Sequence, residues 1–206
     1  LDAIHANLAT ARELARGRAV LAAVKANAYG HGLVPVARSI EERGSAEWLG
    51  VALTAEAEEL RAGGVALPIL KFTPTFPDDL AAALAAAVTL SVGTAQAVDE
   101  VAEAARMAGV VADLHLKIDT GMRRVGADPH AAVALAERIA SSPHLRLAGV
   151  FTHLPISDVP AGDEFTVAQF AQFDEVVTEI EHAVGPVEWV HAANSGAVLG
   201  HDLGRT

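Results

Sequence analysis

Seven short apolar stretches, rich in β-branched residues, recur along the chain with helical patterns between them. They cover residues 19–26, 48–53, 67–73, 88–92, 112–118, 145–152 and 187–192. Each stretch is almost continuously hydrophobic rather than alternating, which is typical of parallel strands covered on both faces. The pattern therefore predicts an α/β fold with seven strands.

Helix start and stop signals lie in the intervals between these stretches. Asp2, Thr94 and Asp128 are residues that favour the N-cap position, and Asp128 is followed by a proline. The first predicted helix begins at Asp2 and has Ile4, Leu8 and Ala11 facing inward. The other predicted helices cover residues 94–107, 128–142 and 163–184. The last one carries Phe170, Phe173, Val177, Ile180 and Val184 on one stripe and is closed by Gly185.

Repeated β-then-α units are compatible with a doubly wound sheet or with a (β/α)8 barrel. The turn at residues 27–32 lacks the G-x-G-x-x-G pattern of doubly wound dinucleotide-binding folds. Polar residues also follow several different strands, as the active face of a barrel requires. They are Lys25, Lys117, Asp119, His153, Asn194 and Ser195. A barrel closes with eight strands, so we expect residues 1–206 to be one incomplete barrel domain, truncated before its last strand.

Composition excludes several classes of function. The net charge of -11 argues against nucleic acid and anionic membranes as partners. The chain has no cysteine, and its nine histidines lack the H-x-x-x-H and H-E-x-x-H spacings of metal sites. Neither a membrane-spanning run nor a G-x-S-x-G elbow is present. These features predict a cytoplasmic globular protein that binds a small molecule and no metal.

Lys25 is the most informative candidate residue, because it ends the first apolar run and begins the segment Lys-Ala-Asn-Ala-Tyr-Gly-His-Gly. An ammonium held among apolar neighbours loses hydration, which lowers its pKa and leaves the free amine nucleophilic. Such a lysine can form an imine with a carbonyl cofactor. A solvated lysine with a packed stem is the alternative at this position.

Three segments in a fixed order resemble one known family. Residues 25–32 are similar to the cofactor-lysine signature of bacterial alanine racemases, which are fold-type III pyridoxal-phosphate enzymes. Residues 117–126 resemble the Lys-x-Asp-Thr-Gly-Met-x-Arg-x-Gly segment of that family, and residues 191–195 resemble its His-x-Ala-Asn-Ser run. The sixth apolar stretch also ends in Thr-His, as in the family. The resemblance covers essentially the whole chain.

The resemblance implies a role for each of these residues. Lys25 would carry pyridoxal 5'-phosphate, and Arg124 would approach the cofactor's phenolic oxygen and the substrate carboxylate. Lys117 would be N-carboxylated, and His153 would lie near the pyridine ring. The phosphate would be bound by Tyr29 and by the run that contains His191, Asn194 and Ser195. Arg123 departs from the family, in which glycine is commoner. Taken singly, these residues are also compatible with helix caps, solvated arginines and structural histidines.

The resemblance further implies interconversion of L- and D-alanine, which supplies D-alanine for the bacterial cell wall. The enzyme would be a homodimer that uses two bases, Lys25 and a tyrosine from the partner's C-terminal β-domain. That domain is absent from this chain, so we expect residues 1–206 alone to be inactive. A broad-specificity amino-acid racemase, a small cofactor-homeostasis barrel and a catalytically inactive binding remnant are the alternatives.

Overall fold

The computed structural model describes residues 1–206, which form two compact units, Leu1–Leu90 and Ser91–Thr206. The first unit contains α1 (Asp2–Leu14), β1 (Leu21–Ala23), α2 (Lys25–Tyr29), α3 (Leu33–Arg43), β2 (Trp48–Val51), α4 (Thr54–Ala62), β3 (Ile69–Lys71), α5 (Pro77–Ala85) and the start of β4 (Val88–Val92). The second contains α6 (Ala95–Ala108), β5 (Ala112–Lys117), α7 (Ala132–Ala140), β6 (Leu145–Phe151), α8 (Asp163–Val184), β7 (Trp189–His191) and α9 (Ser195–Gly200). The single domain expected from the sequence stays a prediction.

Parallel pairing joins consecutive strands in each unit. In the first, Gly50 of β2 lies opposite Leu70 of β3. In the second, β6 pairs with both β5 and β7, and the β5–β6 register shifts between Leu114 and His115. All seven predicted strands are present, each within four residues of its predicted ends. The predicted α/β class is thus confirmed.

Buried apolar side chains come from the strands and from one stripe each of α3, α6, α7 and α8. On α8 that stripe includes Phe170, Phe173, Val177 and Ile180, while Val184 is half-buried. The start and end of α8 match the sequence prediction. None of the helices combines the length and the apolarity that crossing a membrane requires.

Two of the three predicted caps are present. Thr94 Oγ1 accepts the N–H of Ala97 at the start of α6, and Asp128 accepts the N–H of His130. Asp128 opens a 3₁₀ turn before α7 rather than α7 itself. The prediction that Asp2 caps α1 was wrong. The helix already begins at Asp2, with Leu1 as its N-cap and no side-chain cap.

Asp2 instead accepts a hydrogen bond from Arg43, 3.1 Å away, and its charge lies in the first turn, where the helix dipole favours an anion. The inward face predicted for α1 is only half-buried: Ile4, Leu8 and Ala11 are partly exposed, and no residue of this helix is buried.

Gly50 provides a test of packing in the first unit. A Cβ at this position would overlap the Phe72 ring and lie 2.8 Å from Leu21 Cδ2. We expect Gly50→Ala to lower the free energy of unfolding by about 1–3 kcal/mol through overpacking. Phe72→Leu should recover most of that loss, because it removes the ring.

Urea unfolding of the wild type, Gly50→Ala, Phe72→Leu and the double variant measures the effect. Gly200→Ala serves as the control, because nothing lies within 4 Å of a Cβ there. An equal loss for Gly50→Ala with and without the Phe72 ring would contradict the explanation.

Candidate active site

The segment that follows β1 is helical but left-handed. Ala26, Asn27, Ala28 and Tyr29 have φ values of 53°, 56°, 52° and 53°, so four successive non-glycine residues share this conformation. Each costs about 1–2 kcal/mol, because the Cβ approaches the next carbonyl oxygen. Strain of this kind persists only where the surroundings enforce it, and it is concentrated at functional sites.

Two polar side chains hold this left-handed helix. One carboxylate oxygen of Glu56, on α4, accepts the N–H of Ala26 at 2.6 Å. The other accepts the N–H groups of Ala52 and Leu53 at 2.8 and 2.9 Å. Asn27 Oδ1 accepts the N–H of Leu33, at the start of α3, at 2.8 Å. The start of the helix is therefore tied to α4 by an ionised acceptor, and Asn27 ties the helix to the start of α3.

Lys25 begins the left-handed helix and is half-buried. Its Nζ lies 5.8 Å from the centre of the Phe72 ring, within the range of a cation–π contact. Tyr29, one left-handed turn later, is 60% exposed. The first unit thus presents an amine and a phenol, four residues apart, on one strained segment.

The other two lysines of the chain are buried. Lys71 is 3% exposed, and its Nζ donates to the carbonyl oxygen of Pro74 at 2.7 Å and to Thr75 Oγ1 at 3.1 Å. Burial lowers the pKa of Lys71, and the charge of Asp79 partly opposes that shift. Lys117 is 6% exposed, and its Nζ lies 5.4 Å from the centre of the Phe151 ring.

In the second unit, a loop after β5 carries Arg123 and Arg124. The carboxylate of Asp119 accepts the N–H groups of Gly121, Arg123 and Arg124 at 3.0, 2.8 and 3.0 Å. Burial acts to raise the pKa of Asp119, but the three N–H groups and the Lys117 charge outweigh it and hold the pKa below its usual value. Both arginines are exposed.

A cluster of rings lies on β5, β6 and β7, with His115 and Phe151 buried and His191 half-buried. Phe151 and His191 are stacked, with ring centres 4.8 Å apart and planes 5° apart. His191 Nε2 shares a hydrogen bond of 2.9 Å with Nδ1 of His115. Glycine at position 149 leaves room for the His115 ring, since a Cβ there would lie 2.6 Å from His115 Nε2. Burial lowers the pKa of His191 to about 4. Burial, aided by His191 and Arg146, also holds the pKa of His115 well below its usual range.

Asn194 is the N-cap of α9, and its side chain is engaged within the protein. Its Oδ1 accepts the N–H of Ala197 at 3.1 Å and the hydroxyl of Ser157 at 2.6 Å, while its Nδ2 donates to the Leu154 carbonyl. Ser195 beside it is exposed. Asn194 therefore shapes the start of α9, and Ser195 offers a hydroxyl to solvent.

Gln169 of α8 ties the ends of β5 and β6 together. It is 1% exposed, and its Nε2 donates to Thr120 Oγ1 at 3.3 Å and to the His153 carbonyl at 3.4 Å. Thr120 also shares a hydrogen bond of 2.8 Å with Thr152. His153 itself is half-buried. Thus the second unit groups five of the predicted site residues with Lys117 on three neighbouring strand ends.

Sequence reasoning missed four residues that support these groups: Glu56, Phe72, His115 and Gln169. Glu56 lies about thirty residues after the helix that it holds. His115 carried a visible signal, because a histidine in the middle of an apolar strand must be buried with a partner. The other three had no such signal in a single sequence.

The histidine pair predicts a pH dependence of stability. Because the folded-state pKa of His191 is about 4, against 6.5 for a free histidine, the unfolded chain binds the proton first as the pH falls. The stabilising contribution is complete above pH 6.5 and is lost toward pH 4. Between about pH 7 and about pH 5 the free energy of unfolding should fall by about 2 kcal/mol from His191 alone.

Urea unfolding across this range measures the loss. His191→Gln should reduce the pH dependence, whereas His182→Gln, on the exposed face of α8, should leave it unchanged. A wild-type protein equally stable at both pH values would contradict a neutral His191 ring in the folded protein.

Comparison with known proteins identifies the family to which the chain is similar. Residues 1–205 match the family model described as alanine racemase, N-terminal domain. The alanine racemase of Cutibacterium acnes is 47% identical over 206 residues, which are 100% of this chain and 55% of that protein. The chain thus spans about half the length of the curated relatives that it matches.

Solved structures give the same result. Alanine racemase from Clostridium difficile 630 superposes with a TM-score of 0.90 and 31% identity, covering 96% of this chain and 52% of that one. A complex of that enzyme with cycloserine has a TM-score of 0.88 and 30% identity, covering 93% and 53%.

These matches extend over nearly every residue of both compact units. They confirm the fold class predicted from the sequence, an incomplete (β/α)8 barrel. The chain therefore belongs to the family of alanine racemase N-terminal domains.

Proposed function

We propose that this chain is the cofactor-bearing part of an alanine racemase that uses pyridoxal 5'-phosphate. The whole enzyme would interconvert L- and D-alanine in the cytoplasm of a bacterium and supply D-alanine for the cell wall. It would act as a homodimer, in which the partner's C-terminal domain supplies a second acid/base. Membership of the family supports the proposal, as does the chemistry that the chain's own residues offer.

The observation that carries the proposal is the contrast among the three lysines. Lys71 is buried and bonded to its own loop, and Lys117 is buried against Phe151. Lys25 is the remaining lysine, and it is partly accessible. An amine must be reachable to react with the aldehyde of a cofactor. Lys25 is therefore the residue to which the cofactor would be attached.

The side chains available in each unit fit the other groups of the cofactor. Tyr29 and Ser195 have exposed hydroxyls, which suit the oxygens of a phosphate. His191 and Asn194 would support Ser195 by shaping the end of β7 and the start of α9. Arg124 has an exposed guanidinium, which suits a phenolate or a carboxylate. His153 would lie against the ring of the cofactor.

The residues of this chain would then divide the work of the reaction. When bound, pyridoxal phosphate supplies a covalent hold on the amino group of alanine and withdraws electrons from its α-carbon. Lys25 would remove or return the α-proton at its Nζ on one face. Arg124 would bind and orient the alanine carboxylate. N-carboxylation of Lys117 would replace its ammonium by an anion near the loop that carries Arg124. That negative charge would favour the positive charge of the arginine.

Lys25 can be tested by covalent labelling. We expect borohydride reduction of the protein with pyridoxal phosphate to fix one pyridoxyl group on the peptide that contains Lys25. Lys25→Ala and Lys25→Arg should both abolish the label. The arginine keeps the charge but stays protonated, so it cannot react with the aldehyde.

Circular dichroism of both variants checks that the fold is retained. Peptide mapping by mass spectrometry locates the label. A label on Lys71 or Lys117, or one that persists in Lys25→Arg, would refute the assignment of the cofactor lysine.

A further inference from the structure

We infer that Asp119 is a positioning residue that fixes Arg124 through its backbone, so that the arginine meets the substrate carboxylate in one orientation. This inference rests on the proposed function, because it takes Arg124 as the carboxylate-binding residue. It adds a residue to which the family resemblance assigned no role.

The loop that carries Arg124 is closed at its base. The N–H of Asp119 donates to the Ala127 carbonyl at 2.8 Å, and the N–H of Ala127 donates to the Lys117 carbonyl at 2.8 Å. Residues 120–126 therefore leave β5 and return to nearly the same place. Gly126 allows this close return, since a Cβ there would lie 2.9 Å from the N of Asp119.

Inside this closed loop, the Asp119 carboxylate replaces the hydrogen bonds that a helix or strand would provide. Oδ1 accepts from Gly121 and Arg123, and Oδ2 accepts from Arg124 alone. A carboxylate with a lowered pKa is ionised at neutral pH, and bonds to an ionised acceptor are about twice as strong as neutral ones. The arginine is thus anchored by its N–H, and its exposed guanidinium remains available for a ligand.

The loop also contains strain that needs this anchor. Arg123 has a φ of 54°, in the left-handed region that glycine adopts freely. A non-glycine residue there favours other conformations, which would turn the N–H of Arg124 away from Oδ2. Asp119 opposes that rearrangement by binding the N–H groups of both arginines. Arg123→Gly should therefore make the loop less dependent on Asp119.

Asp128 is the matched control for the positioning role. It borders the same cavity of about 580 Å³ as Asp119 and Arg123. Its carboxylate also accepts a backbone N–H, but only that of His130 at the start of the 3₁₀ turn. A loss that comes merely from removing a loop carboxylate should appear in both variants.

Asp119→Asn tests the positioning role most directly. Its amide oxygen can replace Oδ1 and keep the bonds to Gly121 and Arg123, while its NH₂ group faces the N–H of Arg124, donor against donor. In the full-length enzyme we expect kcat/KM for alanine to fall about tenfold to hundredfold, mainly through KM. In an Arg124→Ala background the same substitution should change kcat/KM less than twofold. Asp128→Asn should stay within twofold of wild type in both backgrounds.

A second measurement needs neither cofactor nor activity. Trypsin cleaves after Arg123 and Arg124, and a loosened loop should be cut about tenfold faster in Asp119→Asn than in wild type. Arg123→Gly, added to Asp119→Asn, should slow cleavage after Arg124 again.

Equal cleavage of wild type and Asp119→Asn overturns the inference, and so do equal losses of kcat/KM with and without Arg124 in an active enzyme. A wild-type full-length protein that racemises no alanine overturns the proposed function instead, and the role given to Arg124 fails with it.

Discussion

In each compact unit, one carboxylate collects three backbone N–H groups from loops that follow strands. Glu56 accepts from Ala26, Ala52 and Leu53. Asp119 accepts from Gly121, Arg123 and Arg124. Loops at strand ends have no partner strand to satisfy their N–H groups, and an ionised acceptor does so more strongly than water. The positions of Lys25 and Arg124 depend on these two side chains.

Both carboxylates hold backbone that is unfavourable for its residues. Four residues after β1 and Arg123 after β5 have positive φ without being glycine. Such conformations cost free energy that the fold must offset locally. Here the hydrogen bonds accepted by the two carboxylates contribute to that offset. Polar groups on the strands are paired as well, since His115 and His191 share a hydrogen bond between β5 and β7. Candidate functional side chains are thus carried by strained segments with specific polar support.

The periodic features of the fold could be predicted from the sequence, and the supporting contacts could not. Continuous apolar runs located all seven strands, and the stripe of α8 was visible in its spacing. Asp2 misled the prediction because an acid in the first turn and an acid at the N-cap have the same local sequence. The family motifs indicated Lys25, Arg124 and Ser195, whose roles stay predictions. The role of Asn194 as a cap, with its side chain fully engaged, required the positions of Ser157 and Leu154. Glu56 and Gln169 act across the fold, so no local pattern identifies them.

Amide hydrogen exchange tests most directly whether the two carboxylates set the geometry of these loops. The six N–H groups that Glu56 and Asp119 accept should exchange slowly at neutral pH, as slowly as amides within the neighbouring helices. Nearby loop amides without an acceptor provide the comparison within the same protein. If the N–H groups of Ala26, Arg123 and Arg124 exchange at the rate of an unstructured peptide, the carboxylates do not hold the loops, and the account of how Lys25 and Arg124 are positioned is wrong.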